Sequence, residues 1–249
     1  MNVPVPTLNA RPCRATGGWG GASDAGEVAI WADPRHGVAD MLRFWIFGFH
    51  VAVEPWFWLT CFLMGGGLQP QAWSASHLAG IAIWAIVVFF SILVHELGHA
   101  FTGRRFGANP EIVLHAFGGA AVMHGARFNR RQDLLVTAAG PGASVVLGTL
   151  ALLALLYLRL PWPEVRGLLV ELVWINYFWT LINLLPIQPL DGGLLLRTAL
   201  GDRRLGLTCT VGFVTAAGMA AVALLVLKQP FLTLLMAMFA FENWRMRSR

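Results

Sequence analysis

Apolar residues along this chain come in long runs that approach the length a helix needs to cross a bilayer. The first runs from about Phe44 to Met64 and is interrupted by His50, Glu54 and Pro55, so its first half is expected along an interface and only its second half to dip inward. The second runs from about His77 to Phe101, the third from about Leu134 to Leu158, and the fourth from about Leu168 to Leu185. A last block, Leu205 to Phe241, is broken by Lys228, Gln229 and Pro230 and reads as two spans, the final one short. The pattern predicts an all-α polytopic membrane protein with about six transmembrane helices. Residues 1–42 differ: prolines, glycines and scattered charges predict a flexible cytosolic arm, and no apolar core follows a basic start as a cleavable signal would require. The expected organisation is this arm, a membrane-embedded core over 43–204, and C-terminal spans with a short basic tail over 205–249. The stretch 112–125 (IVLHAFGGAAVMHG) is too short to span, and its alternation and paired glycines suit a β-hairpin, with an interfacial loop as the other reading.

Composition excludes a soluble globule. Hydrophobic residues make up 57% of the chain and charged ones 12%, with a mean hydropathy of +0.62, against about a quarter charged in soluble domains. Cys13, Cys61 and Cys209 lie far apart without CxxC or Cys/His spacing, which argues for free thiols rather than a disulfide framework or a zinc ribbon. The net charge of +5 comes almost wholly from arginines at span ends and in tails, and no basic patch interleaved with aromatics points to a nucleic-acid partner. If the N-terminus, 102–133, 186–204 and the C-terminus share one side, that side holds 15 of the 18 Lys and Arg, leaving Arg159, Arg166 and Lys228 opposite. The positive-inside rule then places both termini in the cytoplasm.

The chemistry concentrates near the cytoplasmic end of the second span, in FFSILVHELGHAF. His95 and His99 are four residues apart on one helical face with Glu96 beside the first, which is H-E-x-x-H on a helix. At this spacing two imidazoles converge on one Zn²⁺, and the adjacent glutamate reaches the attacking water as general base. Ionisable groups at membrane depth are costly and mark function, which disfavours a pair of histidines merely lining a helix contact. A catalytic zinc takes a third protein ligand, and Asp191 in NLLPIQPLDGG is the best candidate. Pro186 and Pro189 stop the fourth span there, and Gly192 and Gly193 let the backbone turn beyond the carboxylate. A proline-broken segment at membrane depth suits a cavity-lining ligand loop, although Asp-Gly after a span taken alone is more often a turn.

HELGH on an apolar helix, followed two spans later by N-x-x-P-x-x-P-L-D-G, resembles the site-2 protease family of intramembrane zinc metalloproteases over about residues 44–200. The resemblance implies a membrane-embedded metalloprotease core with one Zn²⁺ per chain, held by His95, His99 and Asp191, with Glu96 as catalytic base and Asn183 near the substrate. It also implies a transmembrane protein substrate in the lipid bilayer of a bacterial or archaeal cell. No PDZ-like stretch shows in 102–133 and no soluble domain before Arg249, so the likeness is to the compact members. In similar proteins the 112–125 region is a hairpin dipping into the membrane beside the active site, which makes Gly118 and Gly119 substrate-contact candidates. A non-proteolytic chaperone or assembly factor on the same scaffold is the alternative, and the intact Glu96 argues against it. A zinc transporter would want polar groups spread through the spans, where mainly Glu171 and His50 are found.

Other residues have plainer readings. His50, His115 and His124 are spare ligands at most, because the zinc already has its complement. Gly140, Ser144 and Gly148 repeat at four-residue spacing and read as close helix packing rather than as a serine nucleophile. Asn176 shares a helical face with Asn183, and either lines the same cavity or bonds a neighbouring span.

Overall fold

The computed structural model describes residues 42–69 and 73–247, so the arm expected over 1–42 lies, but for Leu42, outside the described residues. Two strands, β1 (Leu42–Ile46) and β2 (Phe49–Val53), lead into a short helix α1 (Pro55–Met64) and the long α2 (Ala75–Arg105). Strands β3 (Asn109–His115) and β4 (Gly118–His124) follow, and then α3 (Arg130–Tyr157), α4 (Pro163–Asn183) and α5 (Asp191–Leu200). A 3₁₀ turn (Asp202–Arg204) precedes α6 (Leu205–Leu225) and α7 (Pro230–Arg247). Ser74 caps α2 by accepting the His77 N–H, and Asn129 with Gln132 forms a reciprocal capping box at α3.

The protein is mostly helical, but the all-α expectation is corrected by a four-stranded sheet ordered β1-β2-β3-β4. Both hairpins are antiparallel, and β2 pairs with β3 in parallel. The hairpin reading of 112–125 corresponds to β3 and β4, which begin slightly earlier. The first half of the Phe44–Met64 run is not helical: Phe47 and Gly48 have φ of 51° and 75° and make a two-residue turn between β1 and β2. Phe44, Ile46, Phe49, Val51 and Val53 point inward with period two. Trp45 and Phe47, 72% and 66% exposed, are apolar too, and they hid that alternation.

Among the described residues four helical segments are long and apolar enough to cross a membrane: Ala75–Arg105, Arg130–Tyr157, Pro163–Asn183 and Asp202–Leu225. These make the chain a multi-pass membrane protein. Helix α1 has ten residues, about 15 Å of rise, half the hydrocarbon thickness. Helix α7 carries Glu242, Arg245 and Arg247 toward its end. Exposed leucines and valines such as Leu150, Leu153, Val214 and Leu234 cover the outside, where lipid replaces water as solvent.

Two apolar clusters fix the site's supports. Phe49, Val51, Val53, Ile112 and Leu114 from the sheet pack on Ile92, Leu93, Leu97 and Ala100 of α2, so one face of the sheet lies directly on the helix that carries the histidines. Arg104, at the end of α2, donates to the carbonyls of Phe47 and Gly48 at 3.0 and 2.7 Å, and its guanidinium lies 3.4 Å over the Phe49 ring. The second cluster joins Ile182 and Ile187 to Ala216, Met236, Phe239 and Ala240, binding α6 and α7 to the loop before Asp191.

Candidate active site

His95 and His99 share a face of α2 one turn apart, and α5 opens with Asp191 against them. His95 Nε2 lies 3.0 Å from Asp191 Oδ2, His99 Nε2 lies 3.4 Å from Asp191 Oδ1, and the two Nε2 atoms are 3.2 Å apart. One ligand atom from each lies within 4.8 Å of the others, the one such His/Cys/Asp/Glu group among the described residues. His95 and His99 are buried.

The far ring nitrogens are held by α3. His99 Nδ1 donates to the Val136 carbonyl at 2.8 Å, which leaves Nε2 as the nitrogen with a free lone pair. His95 Nδ1 lies 3.0 Å from the Ser144 hydroxyl. Ser144 thus does more than pack: it orients a candidate ligand, and nothing in its small-residue repeat distinguished it from its glycine neighbours. Of those, Gly140 is dictated by proximity, as is Gly98 on α2. A Cβ at Gly140 would sit 2.1 Å from His99 Nε2, and one at Gly98 2.4 Å from the Ala139 carbonyl, so α2 and α3 cross with backbone nearly touching side chain.

Asp191 is held by its own surroundings. Cβ atoms at Gly192 and Gly193 would lie 2.1 and 2.4 Å from the Leu184 and Ile187 carbonyls, so α5 starts folded tightly onto the preceding loop. At the other end of α5, Thr198 donates to Asp133, and Arg130 donates to the Ala199 carbonyl. Both tie α5 to the start of α3.

Glu96 is buried beside the cluster, under β4. A Cβ on Gly119 would lie 2.6 Å from Glu96 Cγ and 2.7 Å from Oε1, so only a glycine lets the strand pass this close. Gly118 has φ of 136° and abuts Trp179. Asn183 ends α4 and is half-buried. Of the two readings for Asn176, the structure gives the bond to a neighbouring span: its Nδ2 donates to Ser91 Oγ at 3.0 Å. His50, His115 and His124 do not join the cluster; His115 Nδ1 accepts the Phe117 N–H, while His50 and His124 face Glu111.

A model of Peptidase family M50 matches residues 161–227, and one described as Peptidase M50B-like matches 70–188. The fold superposes on the site-2 protease from Methanocaldococcus jannaschii with a TM-score of 0.60 and 25% identity, covering 84% of this chain and 95% of that one. The chain belongs to the site-2 protease family. Two stretches matched by family models contain the cluster: His95, Glu96 and His99 fall in one, and Asp191 falls in the other. Among curated relatives in this family, a zinc metalloprotease of M. jannaschii is 31% identical over 125 residues, 49% of this chain and 35% of its own length. A putative zinc metalloprotease, Rip3, of Mycobacterium tuberculosis is 33% identical over 124 residues, 48% of this chain and 31% of its own. This site-2 protease homologue therefore spans about a third of the length of these relatives.

Proposed function

We propose that this protein is an intramembrane zinc metalloprotease that hydrolyses peptide bonds in or near transmembrane segments of membrane-protein substrates. The observation that carries the reading is the convergence of His95, His99 and Asp191 within 4.8 Å, with Glu96 buried next to the first histidine. The donor set of two imidazoles and one carboxylate suits Zn²⁺ and leaves a position open for chemistry. When bound, Zn²⁺ supplies a Lewis acid that polarises the scissile carbonyl and acidifies the attacking water. Glu96 takes the proton of that water and delivers it to the leaving amine. Ser144 and Val136 hold the imidazoles in the orientation that directs both Nε2 atoms to the centre.

A helical substrate keeps its carbonyls in i to i+4 bonds and must unwind before attack. Strand β4 closes one edge of the sheet and passes over Glu96, which makes it the natural place to hold the extended form. In this reading Gly118 and Gly119 lie along the substrate path, and Asn183, the last residue of α4, is a further substrate-contact candidate. In the proposed topology the N-terminus, 102–133, 186–204 and the C-terminus are cytoplasmic, the Phe44–Met64 run, partly along the interface, and the short α7 are the first and last of about six spans, and 43–204 form the protease core.

The test is Glu96→Gln in the full chain, reconstituted or expressed in cells. It is expected to retain zinc and to trap an uncleaved transmembrane protein, identified by mass spectrometry, that wild type converts to fragments. Cleavage by Glu96→Gln within tenfold of wild type would remove Glu96 as base.

A further inference from the structure

The sheet carries a second set of metal-type donors on the face turned away from α2. Phe49, Val51, Val53, Ile112 and Leu114 occupy the inner face, so the alternating positions between them point outward. His50 stands opposite Glu111 in the β2/β3 pairing, and His124 stands opposite Asn109, two residues from Glu111 along β3. Three adjacent strands therefore send an imidazole, a carboxylate and an imidazole from one face. Glu111 Oε1 is 2.7 Å from His50 Nδ1, and Oε2 is 3.8 Å from His124 Nε2. The three side chains line one cavity of about 240 Å³ with Trp45, Gly48, Asn109 and Pro110.

We propose that His50, Glu111 and His124 form a second divalent transition-metal site, separate from the His95, His99 and Asp191 cluster. The donor set is the same in both, and imidazole donors select zinc-like ions over magnesium or calcium. The setting differs. Side chains of the inner cluster are 3–12% exposed, whereas those of the outer one are 28%, 41% and 56% exposed, so an ion there exchanges with solvent and keeps water as its remaining ligands. The carboxylate already turns one oxygen to each imidazole; the three donors do not lie within 4.8 Å of one another as in the inner cluster, so ion binding requires the half-exposed His124 side chain to move inward.

Such an ion ties β2, β3 and β4 together at one point. Strand β4 carries His124 on its outer face and Gly119 against Glu96 on its inner one, so occupancy of the outer site stiffens the strand that covers the candidate base. The outer site works as a labile sensor of free metal.

Full-length protein in detergent, freed of any affinity tag, is titrated with Co²⁺ and followed by visible absorption and equilibrium dialysis. Wild type is expected to take up two equivalents, the second at least tenfold weaker. His124→Ala and Glu111→Gln are each expected to take up one, with the first absorption band unchanged. A His95→Ala/His99→Ala double variant is expected to lose the first equivalent and keep the second, which separates failure of the inner cluster from failure of the outer one. Amide exchange over 118–124 should slow at least fivefold with the second equivalent in wild type and not in His124→Ala. A single equivalent in wild type that the double variant abolishes, or two equivalents in both outer-face variants, would overturn the site; unchanged exchange would overturn the tie across the strands.

Discussion

Asn243 near the end of α7 bonds both backbone groups of Gln188: its Oδ1 accepts the N–H at 3.3 Å and its Nδ2 donates to the carbonyl at 2.8 Å. Both residues are buried, and Gly212 of α6 leaves the room, since a Cβ there would lie 2.1 Å from Asn243 Oδ1. The last helix, which contributes nothing to the His95, His99 and Asp191 cluster, thereby holds the loop from which Asp191 emerges. Asn243→Leu leaves two backbone groups of Gln188 unpaired, at about 1–3 kcal/mol each. The expected result is a zinc affinity at least tenfold lower in chelator competition, with helix content by circular dichroism unchanged. Wild-type affinity would limit Asn243 to packing.

Ser144→Ala and Gly140→Ala separate orientation from space. Removing the hydroxyl that meets His95 Nδ1 is expected to lower metal affinity or activity by about 10–100-fold, the usual cost of losing a ligand's outer partner. The Gly140 methyl would collide with His99 Nε2 itself, so that variant is expected to purify with little zinc. Metal analysis of the two proteins checks both, and equal zinc in Gly140→Ala and wild type would show that α3 yields.

How much of this was readable beforehand depended on what carried the signal. His95, Glu96 and His99 stand at a spacing imposed by a single helix, so their convergence needs no knowledge of the fold. Asp191 was reachable because prolines and glycines mark its loop. Ser144, Val136 and Asn243 were not, because a hydroxyl in a small-residue repeat, a backbone carbonyl and an asparagine in an apolar helix gain meaning only from what packs against them. The β1–β2 hairpin was lost for another reason: Trp45 and Phe47 put apolar side chains on the outer face as well, and period two dissolved into a continuous run.

Gly119 lies so close to Glu96 that a methyl must move one of them. Gly119→Ala is expected to cut cleavage at least tenfold while zinc content stays at the wild-type level, because the proposed ligands His95, His99 and Asp191 are not the groups the methyl meets. Zinc loss in this variant would instead mean that β4 supports the whole cluster.

Orientation is tested in a background without Cys13, Cys61 and Cys209. Cysteine at Arg127, exposed between β4 and α3, should react with an impermeant maleimide only after the cells are opened. Cysteine at Arg159, exposed between α3 and α4, should react in intact cells. The opposite pattern would invert the topology.

The edge-strand role of β4 makes a prediction about neighbouring residues. Ala120 pairs with Val113 and Ala121 with Ile112, and because N–H directions alternate along a strand, one of the two points its N–H at β3 and the other away from it. Proline at the first position removes a bond within the hairpin and should lower the unfolding temperature. Proline at the second leaves the sheet intact and deletes the open-edge N–H, that of Ala121, which meets the Glu96 carboxylate and which an extended substrate at this edge would take over. The expected pair of results is therefore one variant with reduced stability and one with wild-type stability, normal zinc and a cleavage rate at least tenfold lower. The measurement is cleavage at matched zinc occupancy alongside thermal unfolding for Ala120→Pro and Ala121→Pro. If the variant that keeps its unfolding temperature also keeps its cleavage rate, substrate does not add to the β4 edge.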